Sequence, residues 1–416
     1  MHKKKRAQVT VYIIIGIIIL FLAILMLYLR GTTEGDMGMQ ELVIAQKIPR
    51  EVRPITNYVT TQLDDATKKG LYLIGMQGGY IYQSQGGPIS DPEEEGKDFV
   101  LYDKNNIYDK HNVSYGIYKY KEIISNYFIP VPRYYPWALY PYLSKKTLGK
   151  KEVFAGFFGT NNLPSLNGSL PSIQAQLEYF ITNYLEKNID FSIFDTQGFE
   201  INDGEINVSV IIGENDVIAF LEYPLGIKKK VTNTITNVTY FYTNPQIRLK
   251  KVYNFTDFII NKDITHILFD INDSKNNRGG IGVNKTEDAY NYDDIITVYD
   301  NKSLLYTEPY EFRFARENRY PALRYNLFIK MTFRDIYAVM GAILKESDID
   351  PIPIADDPDE DVIVFTYDPP LPYTVKPSDF VKGYITLIIY ADEKDNPASN
   401  YREWQKLNIS IIGYSD

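Results

Sequence analysis

The chain has 416 residues, a net charge of −9, no cysteine and three histidines. Lacking cysteine, it can use neither disulfide staples nor a thiol nucleophile, so its stability must come from apolar cores, and its length allows about two to three domains. Four positive charges sit at Lys3, Lys4, Lys5 and Arg6, so the rest of the chain carries −9 less 4, or −13, a balance that repels nucleic acid and anionic lipid headgroups.

The first element is the apolar run Val9 to Leu29, VTVYIIIGIIILFLAILMLYL. A helix needs about 20 such residues to cross the hydrocarbon core of a bilayer. The basic cluster lies before the run and only Arg30 directly after it. The positive-inside rule then predicts a cytoplasmic tag at 1–7, a lipid-embedded helix at 8–30 and an ectodomain from Gly31 onward. A polar stalk over 31–50 follows.

Arg53-Pro54 opens a helix, with proline in the first turn where its missing N–H is harmless. Ile55, Tyr58, Val59, Leu63 and Ala66 recur at helical spacing. Gly70 and the run Gly75-Met76-Gln77-Gly78-Gly79 are expected to end it. That run lacks the lysine and spacing of a phosphate loop and reads as tight backbone packing. Residues 84–115 are polar and acidic and read as an exposed loop. Tyr127 to Tyr142, YFIPVPRYYPWALYPY, is rich in aromatics and prolines. Its two readings are a roof over the core and an exposed recognition surface carried by Tyr134, Tyr135, Trp137 and Tyr140.

A second helix begins at Pro171, capped near Ser169 or Leu170, with Ile173, Leu177, Phe180, Ile181 and Tyr184 on one face. From Gly198 the period drops to two. Asn202-Asp203-Gly204 and Gly213-Glu214-Asn215-Asp216 read as hairpin turns around strands near 205–212 and 216–223, and Val231 to Tyr242 continues as a strand. Another hairpin is expected from Ile295–Tyr299 and Leu304–Phe314, joined around Asn301-Lys302. Residues 51–316 therefore read as an α+β body. Residues 317–413 read as an all-β, Ig-like sandwich with strands at 361–367, 384–390 and 407–412 and Trp404 closing one end. Val364 or Phe365, Leu387 and Ile409 should point inward.

Asn-X-Ser/Thr occurs at Asn112, Asn167, Asn207, Asn237, Asn254, Asn272, Asn284, Asn301 and Asn408. Chance alone predicts about three such sites, so the excess points to a glycosylated exterior. Asp356, Asp357, Asp359, Glu360 and Asp361 lie within six positions, and Asp392, Glu393 and Asp395 close another turn. Such oxygen-rich loops suit calcium, with Asp356, Asp357, Asp359, Asp361 and Asp392 as the candidate ligands, although EF-hand spacing is absent. They read either as a calcium site or as solvated acidic turns. Neither HExxH nor G-x-S-x-G is present, so a zinc centre and a serine elbow are not indicated. Paired carboxylates for glycoside hydrolysis stay open. The expectation is a protein that is not an enzyme.

Three stretches carry resemblances. KKRAQVTVYIIIGIIILF resembles the archaeal class III signal of pilin-like proteins, which implies cleavage between Ala7 and Gln8, although Tyr12 stands where that family places glutamate. PREVRPI, KKGLYLIGMQGGYI, LPSL with its helix, QGFEINDGEINVSV and DNKSLLYTEPYEFRFARENRYPAL together resemble an uncharacterised family of single-pass membrane surface proteins of DPANN-type archaea. IADDPDEDVIVFTYDPPLP, KGYITLIIYADEKDN and WQKLNISII are similar to cadherin-like and PKD-like Ig folds, in which such aspartates clamp calcium between domains. The resulting expectation is a cell-surface protein, anchored in the cell membrane, that binds a protein or glycan partner and no nucleic acid, by adhesion or as an envelope component. The alternatives are a tethered enzyme or export factor acting on surface polymers, and a pilin-like filament subunit.

Overall fold

The computed structural model describes residues 48–102, 110–119, 146–148, 151–153, 159–319, 321–324, 328–329, 341–350, 353–394 and 402–410. The fold mixes helices with several separate sheets. Among the described residues no helix is long and apolar enough to cross a membrane. The run Val9 to Leu29 lies outside them, as do Tyr134, Tyr135, Trp137 and Tyr140.

In chain order, helix α1 is Arg53–Met76, followed by strands β1 Phe99–Tyr102, β2 His111–Lys119 and β3 Gly159–Asn161. Helix α2 is Ile173–Asn188; strands β4 Phe199–Asp203, β5 Asn207–Ile212, β6 Val217–Lys229 and β7 Ile235–Thr243 come next. Helix α3 is Leu249–Asp263, ahead of β8 Ile281–Tyr290, β9 Asp293–Leu305 and β10 Glu308–Arg316. The C-terminal stretch includes β11 Ala322–Arg324, β12 Ile354–Asp356, β13 Ile363–Asp368, β14 Tyr384–Glu393 and β15 Arg402–Ser410.

These elements divide into two compact units. The first holds residues up to Leu71, Ile81–Ile89 and Asn167–Leu249; the second holds Tyr72–Tyr80, Ser90–Leu166 and Lys250 onward. The boundary expected at 317 falls inside the second unit.

In the first unit the helical pattern of α1 is met: Ile55, Val59, Leu63 and Ala66 are fully buried. Gly70 does not end α1. A Cβ there would lie 2.9 Å from Leu177 Cδ2 of α2, so its bare backbone admits the second helix. Ser172, rather than Ser169 or Leu170, caps α2 by accepting from Ala175 N at 3.2 Å. The Gly213–Asp216 hairpin forms as expected, with Ile212 opposite Val217. The Asn202–Gly204 hairpin does not, because β4 and β5 both pair with the 13-residue β6 and not with each other. Here a long strand with room for two partners overrides local turn chemistry. Strand β7 covers the other edge of β6.

The second unit is built on a six-stranded sheet whose path runs β1-β2-β10-β9-β8, with β3 added to β2. The stretch read as an exposed loop over 84–115 contains β1 and the start of β2. The β9–β10 hairpin exists, but it turns at Tyr306 and Thr307, whose φ values of 51° and 77° are left-handed. Asn301-Lys302 lies instead in a register irregularity of β9. In the C-terminal stretch β13, β14 and β15 form an antiparallel sheet. Leu387 and Ile409 are buried, and Phe365 rather than Val364 packs against that core. Trp404 lies within β15 opposite Tyr390 rather than ahead of the strand.

Gly75, the reading of close packing, has its virtual Cβ 2.2 Å from Glu311 O. Gly75→Ala should therefore destabilise the chain by about 1–3 kcal/mol or more through overpacking, seen as a lower urea midpoint. An unchanged midpoint would mean that β10 can retreat.

Candidate functional site

Among the described residues of the second unit, a cluster of buried charges lies where β9, β10 and α3 meet the acidic turn at 357–361. Arg316 is 1% exposed and Arg319 0%. Guanidinium groups stay charged in any protein environment, so burial requires carboxylates beside them. Arg316 donates from Nη1 to Asp263 Oδ1 at 3.1 Å and from Nη2 to Asp294 Oδ2 at 2.5 Å. Arg319 donates from Nη2 to Asp359 Oδ1 at 2.7 Å, and its backbone N–H reaches Asp359 Oδ2 at 2.6 Å. Arg319 Nη2 also lies 2.7 Å from Asp263 Oδ2. That atom accepts no aligned hydrogen bond, so this contact acts as charge attraction alone. Burial alone would raise Asp359; the Arg319 and Arg316 charges outweigh it and hold the carboxyl below its usual range.

Lys285 belongs to the same region. Its side chain is 3% exposed and pairs with Glu360 at 2.6 Å and Glu287 at 3.2 Å. On the other side, Tyr115 donates to Asp293 Oδ2, and Asp293 Oδ1 accepts from Asn318 N at 2.7 Å. Burial lifts Asp293 to about 7 despite these two donors. Burial and the Asp293 charge raise the Tyr115 phenol as well, so it stays protonated at neutral pH and is no base.

Beyond the arginines stands a second group of carboxylates. Asp357, Asp361 and Glu393 bring oxygen atoms within 4.8 Å of one another. Asp357 Oδ1 accepts from Asp359 N at 2.8 Å and Asp361 N at 3.2 Å, which shapes the turn. Burial, then the charges of Asp359 and Glu393, push Asp361 up to about 7. Burial, then Asp359 and Asp361, raise Asp357 too. A cleft of about 160 Å³ reaches the group, lined among others by Lys285, Tyr292, Asp361, Glu393 and Lys394.

Of the five aspartates expected to bind calcium, the fold brings Asp357 and Asp361 together. Asp359 serves the arginines. Asp392 turns to the other face of β14 and accepts from Thr366 Oγ1 at 2.5 Å. Asp356 is half-buried in β12, paired with Ala322. The sequence places Glu393 in the second acidic turn but takes its neighbour Asp392 as the ligand; Asn318, Arg316, Arg319 and Asp263 it misses. For Asp263 the available signal was helical: Leu249, Val252, Thr256, Ile259 and Ile260 are all buried at helical spacing, and Asp263 continues the stripe.

In the first unit a larger cleft of about 510 Å³ is lined by Leu185, Glu186, Ile189, Asp203, Glu205 and Tyr223, among others. Its carboxylates are solvent-exposed. Of the nine sequon asparagines, Asn112 is half-buried in β2 and the other eight are exposed.

Comparison with known proteins gives no match: no family model fits this chain, and neither a curated protein nor a solved structure matches it.

Three outcomes follow from this buried lattice of charges, the two arginines with Asp263, Asp294 and Asp359 and the Tyr115–Asp293 pair beside them. Arg316→Met or Arg319→Met leaves buried carboxylates without their cation and should cost roughly 3–5 kcal/mol, read as a fall in chemical stability. The fragment 317–413 lacks Asp263, Asp294 and Arg316, so it should melt below the intact chain; equal melting would show that the lattice adds nothing. For pH, Asp293 has a folded value near 7 against about 3.9 unfolded. Between those values the folded state holds the extra proton, so stability falls as pH rises from 4 to 7 and levels off above. In chelator, Asp293→Asn should flatten part of that slope, with denaturation midpoints at pH 5 and 8 drawn together.

Proposed function

We propose that this chain is a membrane-anchored, glycosylated surface protein that works by binding a protein or glycan partner rather than by turning over a substrate. Its anchor is the apolar run at 8–30, with the tag at 1–7 in the cytoplasm. Its C-terminal stretch is an Ig-like module in this reading, a fold that serves equally as spacer and as contact surface.

The observation that carries the reading is the use of the buried charges. Arg316 and Arg319 are tied to Asp263, Asp294 and Asp359, and Tyr115 to Asp293. These groups cross-link helix, sheet and acidic turn within the second unit. A stiff scaffold holds a contact surface in one orientation and so reduces the entropy lost on binding. The exposure of eight sequon asparagines supports a glycosylated exterior, since attachment requires an accessible side chain.

The test uses the full chain in liposomes. Liposomes carrying it should be retained on surfaces coated with cell-envelope material, with no release of sugar or peptide fragments. Fragment release without retention would favour the tethered enzyme. Protease added to intact cells should remove the bulk of the chain, and a protected C-terminus would reverse the topology.

A further inference from the structure

We propose that Asp357, Asp361, Glu393 and Asn318 form a calcium site in the second unit. The inference stands on these residues alone and does not depend on the binding reading above.

The first observation is the carboxylate group itself, with oxygens of Asp357, Asp361 and Glu393 within 4.8 Å of one another. Among the described residues no lysine or arginine pairs with Asp357 or Asp361. Of the nearby cations, Lys285 is committed to Glu360 and Glu287, and Arg316 and Arg319 to Asp263, Asp294 and Asp359, while Lys394 stands exposed in the lining of the cleft. Asp357 Oδ2 and Asp361 Oδ2 are both buried and accept nothing. Desolvated carboxylate oxygens of this kind are costly unless a cation meets them.

The second observation is a neutral side chain. Asn318 is 2% exposed. Its Nδ2 donates to Glu393 Oε2 at 2.9 Å, which lays the amide against the carboxylate group. Its Oδ1, one amide width away, is buried and accepts no hydrogen bond. A buried amide oxygen without a donor, in a side chain bonded to Glu393 and near the Oδ2 atoms of Asp357 and Asp361 that accept nothing, is the arrangement a hard cation completes.

Chemistry then selects the ion. All four donors are oxygens, which suits calcium or magnesium and not zinc. Separations below 4.8 Å fit either ion; the number of protein oxygens favours calcium, since magnesium keeps several of its waters and takes only one or two carboxylates. Calcium takes six to eight oxygens, so waters entering by the cleft along Asp361 and Glu393 would fill the remaining positions. The bound ion would join the segments at 318, 357–361 and 393, fixing the acidic turn against β14 and the residues that follow β10.

The experiment uses the full chain in detergent, stripped with chelator. Calcium should raise its melting temperature, with a dissociation constant on the order of 10⁻⁴ to 10⁻³ M. Terbium, a calcium surrogate, should luminesce when tyrosine is excited, since Tyr292 lines the cleft. Asp361→Asn and Glu393→Gln should each weaken calcium by about tenfold or more while raising the melting temperature without metal, because repulsion is relieved. Asn318→Asp converts the amide oxygen to a carboxylate of equal volume. It should lower the metal-free melting temperature and enlarge the calcium response. The proposal is overturned if about 10 mM calcium moves neither melting nor terbium signal. It is also overturned if the Asn and Gln variants bind as the parent does, if Asn318→Asp leaves the calcium response unchanged, or if magnesium acts as strongly as calcium.

Discussion

Two arginines buried among three aspartates set the terms for the second unit. Neither Arg316 nor Arg319 can shed its charge, and both are essentially inaccessible to water. Every segment that approaches them must therefore supply an acceptor. Helix α3 supplies Asp263, β9 supplies Asp294, and the turn after β12 supplies Asp359 together with the carbonyls of Pro358 and Asp359. This is a steric and electrostatic constraint on how the C-terminal stretch can join the six-stranded sheet. A well-packed apolar substitute could be as stable. What the charges add is selectivity, since a slipped register of β10 would leave a guanidinium facing apolar side chains.

The same constraint explains the neighbouring carboxylates. Once Asp359 is turned toward the arginines, Asp357 and Asp361, two positions to either side, are placed together on the other side of the turn. They meet Glu393 there. Repulsion and burial raise both aspartates. The turn thus divides its charge between a compensated group and an uncompensated one within five residues. Asn318 lies between the two: its backbone N–H serves Asp293 while its amide touches Glu393.

How much of this could be read from sequence follows from the range of each interaction. The apolar stripes of α1 and α2 and the turn at 213–216 are local, and they were legible. Helix α3 is not among the expected elements, because the polar Thr256 and Asp263 dilute the stripe that Leu249, Val252, Ile259 and Ile260 mark, although they keep its spacing. Gly70 looked like a terminator, whereas it makes room for Leu177 more than 100 positions later. The pairing of β4 and β5 with a shared partner depends on the length of β6, which no turn motif encodes. In the site, charge density pointed to Asp357 and Asp361. It also pointed to Asp392, and there the pleat decided: successive side chains on a strand face opposite ways, so Asp392 meets Thr366 and Glu393 meets Asn318.

The lattice and the carboxylate group also bear on mechanism by limiting where mobility can lie. A turn whose middle residue is held by a buried ion pair has little freedom at Asp359. Its flanking residues, Asp357 and Asp361, move only with whatever balances their charge. Burial and mutual repulsion raise both groups, Asp361 to about 7, so each holds its proton more readily than a free carboxyl when no cation is present. A cation would replace those protons with bonds to three separate segments, so the state of this turn and the stiffness of its attachment to β14 are the same variable. A surface protein that presents a contact face on such an attachment would have its geometry set by two buried arginines and its rigidity set by the counter-charge of one acidic turn.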